Sequence, residues 1–280
     1  MLYQRGAVFI PDVIAVMNVV ASNILSQSLW ITEWYGAFML QADHITHAFR
    51  TGLFSSSRMV LNNVSLHIER GNRCGLIGPS GSGKSTLARI LAAQLIPNRG
   101  TVRYEGKDVF RMDAAGKRRY RCAVQMIFQN PLLSLDPMQK IIDAVREPLM
   151  VHNICRTQTQ GTDMASELLT RCGISEAVFQ RKPCQISGGQ AQRVVIARAL
   201  GLRPDFLIAD EPTSMLDISV QAQILRLMMS IQTESGMGIL LITHDMDLIR
   251  ACCDRVVRIQ PDGTLVEERP GMDEKIRLTS

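Results

Sequence analysis

Two rhythms of apolar and polar positions run along the chain from about residue 40 onward, one of period two and one of period 3.6. "ADHITHAF" and "MVLNNVSLHI" alternate as strands do, and "CGLIG" is a short apolar run of the buried-strand kind. "KSTLARILAAQL" then places apolar residues at helical spacing. "GTVRYEGKDV" predicts a strand with a turn, and "AVQMIFQ" another strand. From Asn130 to about Ile186 the texture turns helical, most clearly in "MQKIIDAVREPLMV" and "TDMASELLTRCGI". This stretch, about 130–187, is expected to be an inserted helical subdomain. "GGQAQRVVIARALGLRP" predicts a helix ended by Gly201 and Pro204, "DFLIAD" a buried strand, and "SVQAQILRLMMSIQTESG" a long helix. "GILLITHD" and "MDLIRACC" add a strand and a short helix, and "RVVRIQPDGTLVEE" is a hairpin turning at Asp262-Gly263. Strands alternating with helices predict an α/β fold with parallel strands. No internal repeat is visible, so the chain is expected to hold one such core.

The first 38 residues stand apart. From Val13 to Ile31 they are apolar but interrupted by Asn18, Ser22, Asn23, Ser26, Gln27 and Ser28. A spanning helix needs about 20 mostly apolar residues, and a signal peptide is only weakly suggested by Arg5 and Ala21. The preferred reading starts the domain near Met39, carries it to about residue 270, and leaves 271–280 as a short tail. Residues 1–38 are then a dispensable extension or a consequence of start-site choice. A helix that touches a membrane peripherally is the alternative.

Composition changes this picture little. The 280 residues are 46% hydrophobic and 20% charged, as in an ordinary globular chain. A net charge of +5 suits a protein that handles phosphates or lies near an anionic membrane face, and is too small to indicate nucleic acid. Seven cysteines without a C-x-x-C pair read as free thiols rather than as a disulfide framework or a zinc site. "KRRYR", residues 117–121, has no aromatic platform beside it and reads as a solvated or interface patch.

Chemistry enters with "GPSGSGKST", residues 78–86. Gly78, Pro79, Ser80, Gly81, Ser82, Gly83, Lys84, Ser85 and Thr86 fit G-x-x-x-x-G-K-[ST] between a strand and a helix. Glycines let backbone N–H groups wrap a phosphate chain, and the helix that follows aims its positive end at the same anion. Lys84 is expected to reach the outer phosphates of ATP, and the Ser85 hydroxyl to ligate Mg2+. "FLIADEP" is an apolar strand that ends in two acids. Asp210 is placed to hold Mg2+, and Glu211 to polarise an attacking water. An acidic pair capping the next helix would be the bland alternative.

"QISGGQAQR", residues 185–193, resembles the LSGGQ signature of ABC ATPases, with Ile186 in place of leucine. The resemblance covers residues 40–268. It implies a P-loop core with an antiparallel β subdomain and a helical insertion. It also implies that Ser187, Gly188, Gly189 and Gln190 act in trans on ATP held by a second ATPase subunit. By the same resemblance Gln129 is the Q-loop glutamine that senses Mg2+ and water, and His244 is the switch histidine on the γ-phosphate. Ser214 and Asp217 belong to the D-loop, which here has Met215 where alanine is common. Phe49 takes the place of an aromatic that stacks on adenine, where tyrosine is more usual; a core phenylalanine is its alternative.

After Gln129 the chain is similar to the ATPases of oligopeptide, dipeptide and nickel importers. The matching residues are Ser134 to Pro137, Glu147 to Leu149, and His152. The resemblance implies ATP hydrolysis that drives import, a related second ATPase, two transmembrane permeases and, indirectly, a solute-binding protein. The chain would lie peripherally on the cytoplasmic face of the cell membrane. The absence of the C-terminal cysteine-rich stretch of many oligopeptide-type members tips the expectation toward nickel or a metal chelate over peptides. A soluble ABC ATPase of translation or DNA repair, and an exporter ATPase, are the competing readings.

Overall fold

The computed structural model describes residues 39–50 and 57–268. The extension at 1–38, the tail at 271–280 and the expectations attached to them lie outside these residues. Two sheets form the frame. The larger has six strands in the order β10-β9-β3-β8-β7-β6. These are β3 (Arg73–Ile77), β6 (Val124–Ile127), β7 (Phe206–Asp210), β8 (Gly238–Ile242), β9 (Arg255–Ile259) and β10 (Leu265–Glu268). All neighbours are parallel except the β9–β10 hairpin. The smaller sheet, in the order β2-β1-β4-β5, is antiparallel. It contains β1 (Met39–Arg50), β2 (Ser57–Glu69), β4 (Arg99–Tyr104) and β5 (Lys107–Asp108).

The central strands are buried on both faces, so they read as continuous apolar runs rather than alternating ones. Every residue of β7 and of β8 is buried. Alternate positions serve different cores. Phe206, Ile208, Leu240 and Ile242 pack with Leu40, Ile45, Leu61 and Val102 of the small sheet and with helix α1 (Lys84–Leu91). Leu207, Ala209, Ile239 and Leu241 pack on the opposite face with the remaining helical layer. Each such side chain removed from water contributes about 2 kcal/mol, before the entropy of ordering the chain is set against it.

The helical layer begins after β6. Helices α3 (Ile141–Val151), α4 (Gln158–Arg171) and α5 (Glu176–Phe179) form the insertion, and α6 (Gly188–Gly201) and α7 (Ile218–Ser235) return the chain to the sheet. α8 (Met246–Cys252) follows β8. Ile142, Val145, Leu149, Leu169 and Val194 share one core with the sheet residues, so the insertion is packed onto the body. One element was not anticipated: "KRRYR" lies on helix α2 (Ala114–Ala123), which Asp113 caps by accepting a hydrogen bond from Gly116 N. Tyr120 anchors α2 from a fully buried position, donating its hydroxyl to the Leu91 carbonyl of α1.

Candidate active site

The carboxyl ends of β3, β8, β7 and β6 lie side by side, where open parallel sheets place ligands. β3 leads into the glycine loop at Gly78–Gly83. Gly78 has φ +152, and a Cβ there would come within 2.7 Å of the Ile259 carbonyl oxygen. Gly83 caps α1 with φ +106, and a Cβ there would meet the Val60 carbonyl oxygen at 2.8 Å and Leu61 at 2.8 Å. The loop is therefore wedged between β2 and the end of β9, and side chains are excluded where the backbone must turn. Lys84 is buried, and its Nζ donates to the carbonyls of Gly78 at 2.8 Å and Pro79 at 2.9 Å. The ammonium thus folds back over the loop mouth. The Ser82 hydroxyl is buried and has no hydrogen-bond partner among the described residues, which suits a cradle meant for phosphate oxygens.

Asp210 closes β7 and is buried. Burial pushes its carboxyl up from the ordinary value, the Ser85 hydrogen bond pulls it down, and neighbouring Glu211 pushes it up again. A buried carboxylate held against a P-loop serine fits a hard divalent cation, which would remove the cost of its charge.

Glu211 adopts φ +46, a left-handed conformation that costs a non-glycine residue about 1–3 kcal/mol. Its backbone N–H donates to the Ile242 carbonyl of β8 at 2.9 Å, and its own carbonyl accepts from the Ser214 hydroxyl at 3.1 Å. This bend turns the carboxylate across the strand ends. Oε2 accepts from Gln129 Nε2 at 2.9 Å, and Oε1 lies 3.6 Å from His244 Nδ1. Gln129 follows β6 and His244 follows β8, so three neighbouring strands deliver one acid, one amide and one imidazole to a single point. The His244 contact is longer than a hydrogen bond and its side chain is 71% exposed.

The signature residues are not part of this cluster. Ser187 accepts from Gln190 N at 3.2 Å, and the Gln190 side chain accepts from Ser187 N at 3.0 Å, a reciprocal cap at the start of α6. Their neighbours lie on the segment that runs from Ser214 into α7. A Cβ on Gly188 would lie 3.4 Å from Leu216, and one on Gly189 would lie 2.7 Å from Val220. Asp217 stands at the start of α7 and accepts from the backbone of Val220 and Gln221 at 2.9 Å each. Phe49 lies near the end of β1, 42% exposed, with its ring edge-on to His47 at 4.8 Å.

Arg58 was missed by sequence reasoning. It pairs across the strands with Phe49, and its guanidinium lies 3.8 Å from where a Gly81 Cβ would be. The signal was the β1–β2 register, which depends on bulges that the alternation pattern does not reveal.

A family model described as ABC transporter matches residues 61–214, more than half of the 280-residue chain. The chain belongs to the ABC transporter family. This ABC cassette is 39% identical over 210 residues to the dipeptide transport ATP-binding protein DppF of Escherichia coli K12, a match to 74% of this chain and 63% of that protein. The chain thus spans less than two thirds of that relative. It is 35% identical over 245 residues to the nickel import ATP-binding protein NikE of Shigella boydii serotype 4, covering 86% of this chain and 90% of that protein. Its fold matches the dimeric ATP-binding cassette MJ0796 in a post-hydrolysis state with ADP and phosphate. The TM-score is 0.73 at 29% identity, over 83% of this chain and 99% of that one. It also matches cbiO1 of Clostridium perfringens, part of the transporter complex cbiONQ, with TM-score 0.70 at 26% identity over 84% and 89%. The cassette is accordingly an ATPase of the ABC transporter kind.

Proposed function

We propose that the chain is the ATP-hydrolysing, energy-coupling subunit of an importer, with nickel or a metal chelate as its cargo. The reach of the nickel relatives, over 86% of this chain against 74% for the dipeptide relative, supports that choice. The higher identity of the dipeptide relative, 39% against 35%, keeps dipeptide import as the second reading.

In this proposal Lys84 and the amides of the glycine loop hold the β- and γ-phosphates, with Phe49 against the adenine. Ser85, Asp210 and Gln129 would hold Mg2+, which would supply positive charge against the phosphates. Glu211 accepts the proton of the attacking water, or orients it, and the Gln129 amide fixes the carboxylate that does so. His244, loosely held, stabilises the γ-phosphate. The signature acts on a second, related cassette. Ser187 and Gly188 are exposed, and so are Met215 at 61% and Ile218 at 85% beside them, as an interface needs.

Coupling to the permeases runs through a groove of about 930 Å³ between the sheet edge and the helical insertion. Met126, Phe128, Pro148, Val151 and Leu202 line it, and Leu133 at 84% and Met138 at 71% exposure lie on the same loop past Gln129. A groove this large, with apolar residues set among polar ones such as Arg121, Gln139 and Glu147 and one residue from a group touching Glu211, suits an amphipathic permease helix on the cytoplasmic side of the membrane. A solute-binding protein would feed cargo to those permeases.

Fractionation of cells tests this arrangement. The wild-type chain is expected in the membrane pellet, and the double variant Leu133→Asp/Met138→Asp in the supernatant, still able to bind ATP. A wild-type chain found entirely in the supernatant contradicts the importer role and brings a soluble ABC ATPase forward.

A further inference from the structure

Helix α2 presents four cations that the ATPase chemistry does not use. Lys117, Arg118, Arg119 and Arg121 are all exposed; Arg118 and Arg121 lie opposite buried Tyr120 and Ala123, and Lys117 and Arg119 flank them. The helix contains no acid. The two nearest acids toward its start are engaged, Asp113 in capping Gly116 and Asp108 in pairing with Arg111. Among the described residues none of the four cations forms an ion pair. Four like charges within five residues repel one another, so the isolated subunit carries a strain that an anionic partner relieves.

The position of the helix says which way that charge points. Arg121 lines the same groove that receives the permease in the reading above, and Cys122 Sγ lies 2.9 Å from Nδ1 of His152, which follows α3 and also lines the groove. α2 is thus the shoulder of that groove. Besides these cations the exposed residues of α2 are Ala114 and Ala115, with no apolar anchor, and the recess beside Arg119 is also walled by Glu105, Asp108 and Asp113, which an acidic segment would meet as like charge. Recognition of a folded acidic segment needs shape as well as charge, whereas a fluid layer of anionic headgroups needs charge alone.

We infer that the cationic face of α2 rests on the anionic surface of the bilayer, beside the permease groove, and orients the cassette there. The inference relies on the groove being the membrane-facing side. Each cation near such a surface is worth about fivefold in partitioning, through about 1 kcal/mol.

The test is co-sedimentation of the purified full-length chain with vesicles, using phosphatidylcholine alone or with about one third phosphatidylglycerol, at low and high salt. The wild-type chain is expected to bind the anionic vesicles and to be released by salt. The variant Lys117→Gln/Arg118→Gln/Arg119→Gln/Arg121→Gln should bind them at least about 100-fold more weakly with unchanged ATP affinity. Equal binding by variant and wild type, or equal binding to neutral and anionic vesicles, overturns the inference. So does a variant that loses cargo uptake while the wild-type chain ignores anionic vesicles, which assigns the cations to an acidic protein segment. Because vesicle binding is read without permease or cargo, its failure leaves the importer reading standing. Failure of the Leu133→Asp/Met138→Asp fractionation touches that reading instead.

Discussion

Glu211→Gln is expected to bind ATP as tightly as the wild-type chain and to hydrolyse it at least about 100-fold more slowly. Glutamine keeps the volume and an acceptor oxygen for the Gln129 amide, which bonds Glu211 at 2.9 Å. It has the same backbone to place at φ +46, so the bend that aims the side chain survives. What it loses is the negative charge and the ability to take a proton from water. Neither contributes to holding nucleotide, which depends on the loop around Lys84. ATP binding and steady-state phosphate release, measured on the same preparation, separate the two. Turnover equal to wild type would remove Glu211 from the mechanism and leave it the role of a bent strand end hydrogen-bonded to Gln129.

Lys84→Ala acts at the opposite stage. The Lys84 ammonium is buried and donates to the Gly78 and Pro79 carbonyls, so it braces the loop. With ATP present the same donors are available to phosphate oxygens, as charge-assisted bonds worth about 1.5–3 kcal/mol each. Their loss is expected to weaken ATP affinity by about 100-fold, since 1.4 kcal/mol corresponds to tenfold. Titration with a fluorescent ATP analogue checks this, with a thermal melt to show that the fold is kept. Affinity within a few-fold of wild type would mean that the loop amides alone carry phosphate binding.

Much of this site could be read from residue order. The glycine loop is local: a strand, a forced turn and a helix N-terminus occupy consecutive residues, so spacing alone conveys the geometry. Asp210 and Glu211 were legible because a wholly apolar strand ending in acids must deliver them to the sheet's carboxyl edge. Their meeting with Gln129 and His244 is a different matter. Those residues lie 82 and 33 positions away from Glu211, and what joins them is the strand order β8-β7-β6, which no local pattern specifies. The resemblance to ABC ATPases supplied what periodicity could not.

Helix α2 escaped because its charged face outweighs its two buried positions, Tyr120 and Ala123, so no apolar stripe announces it. Arg58 escaped because its approach to Gly81 depends on the bulged β1–β2 register. The left-handed Glu211 could not be foreseen from its residue type, since only the Ile242 and Ser214 hydrogen bonds enforce it. Such departures from local preference concentrate where the chain does chemistry.

Uptake of labelled nickel and of a labelled dipeptide, in cells carrying the wild-type chain or Glu211→Gln, addresses the whole account at once. The expected result is loss of nickel uptake in Glu211→Gln cells with dipeptide uptake intact. Loss of dipeptide uptake alone would move the chain to the peptide importers. Uptake of both cargoes at wild-type rates in Glu211→Gln cells would contradict a role for this ATPase in importing either one.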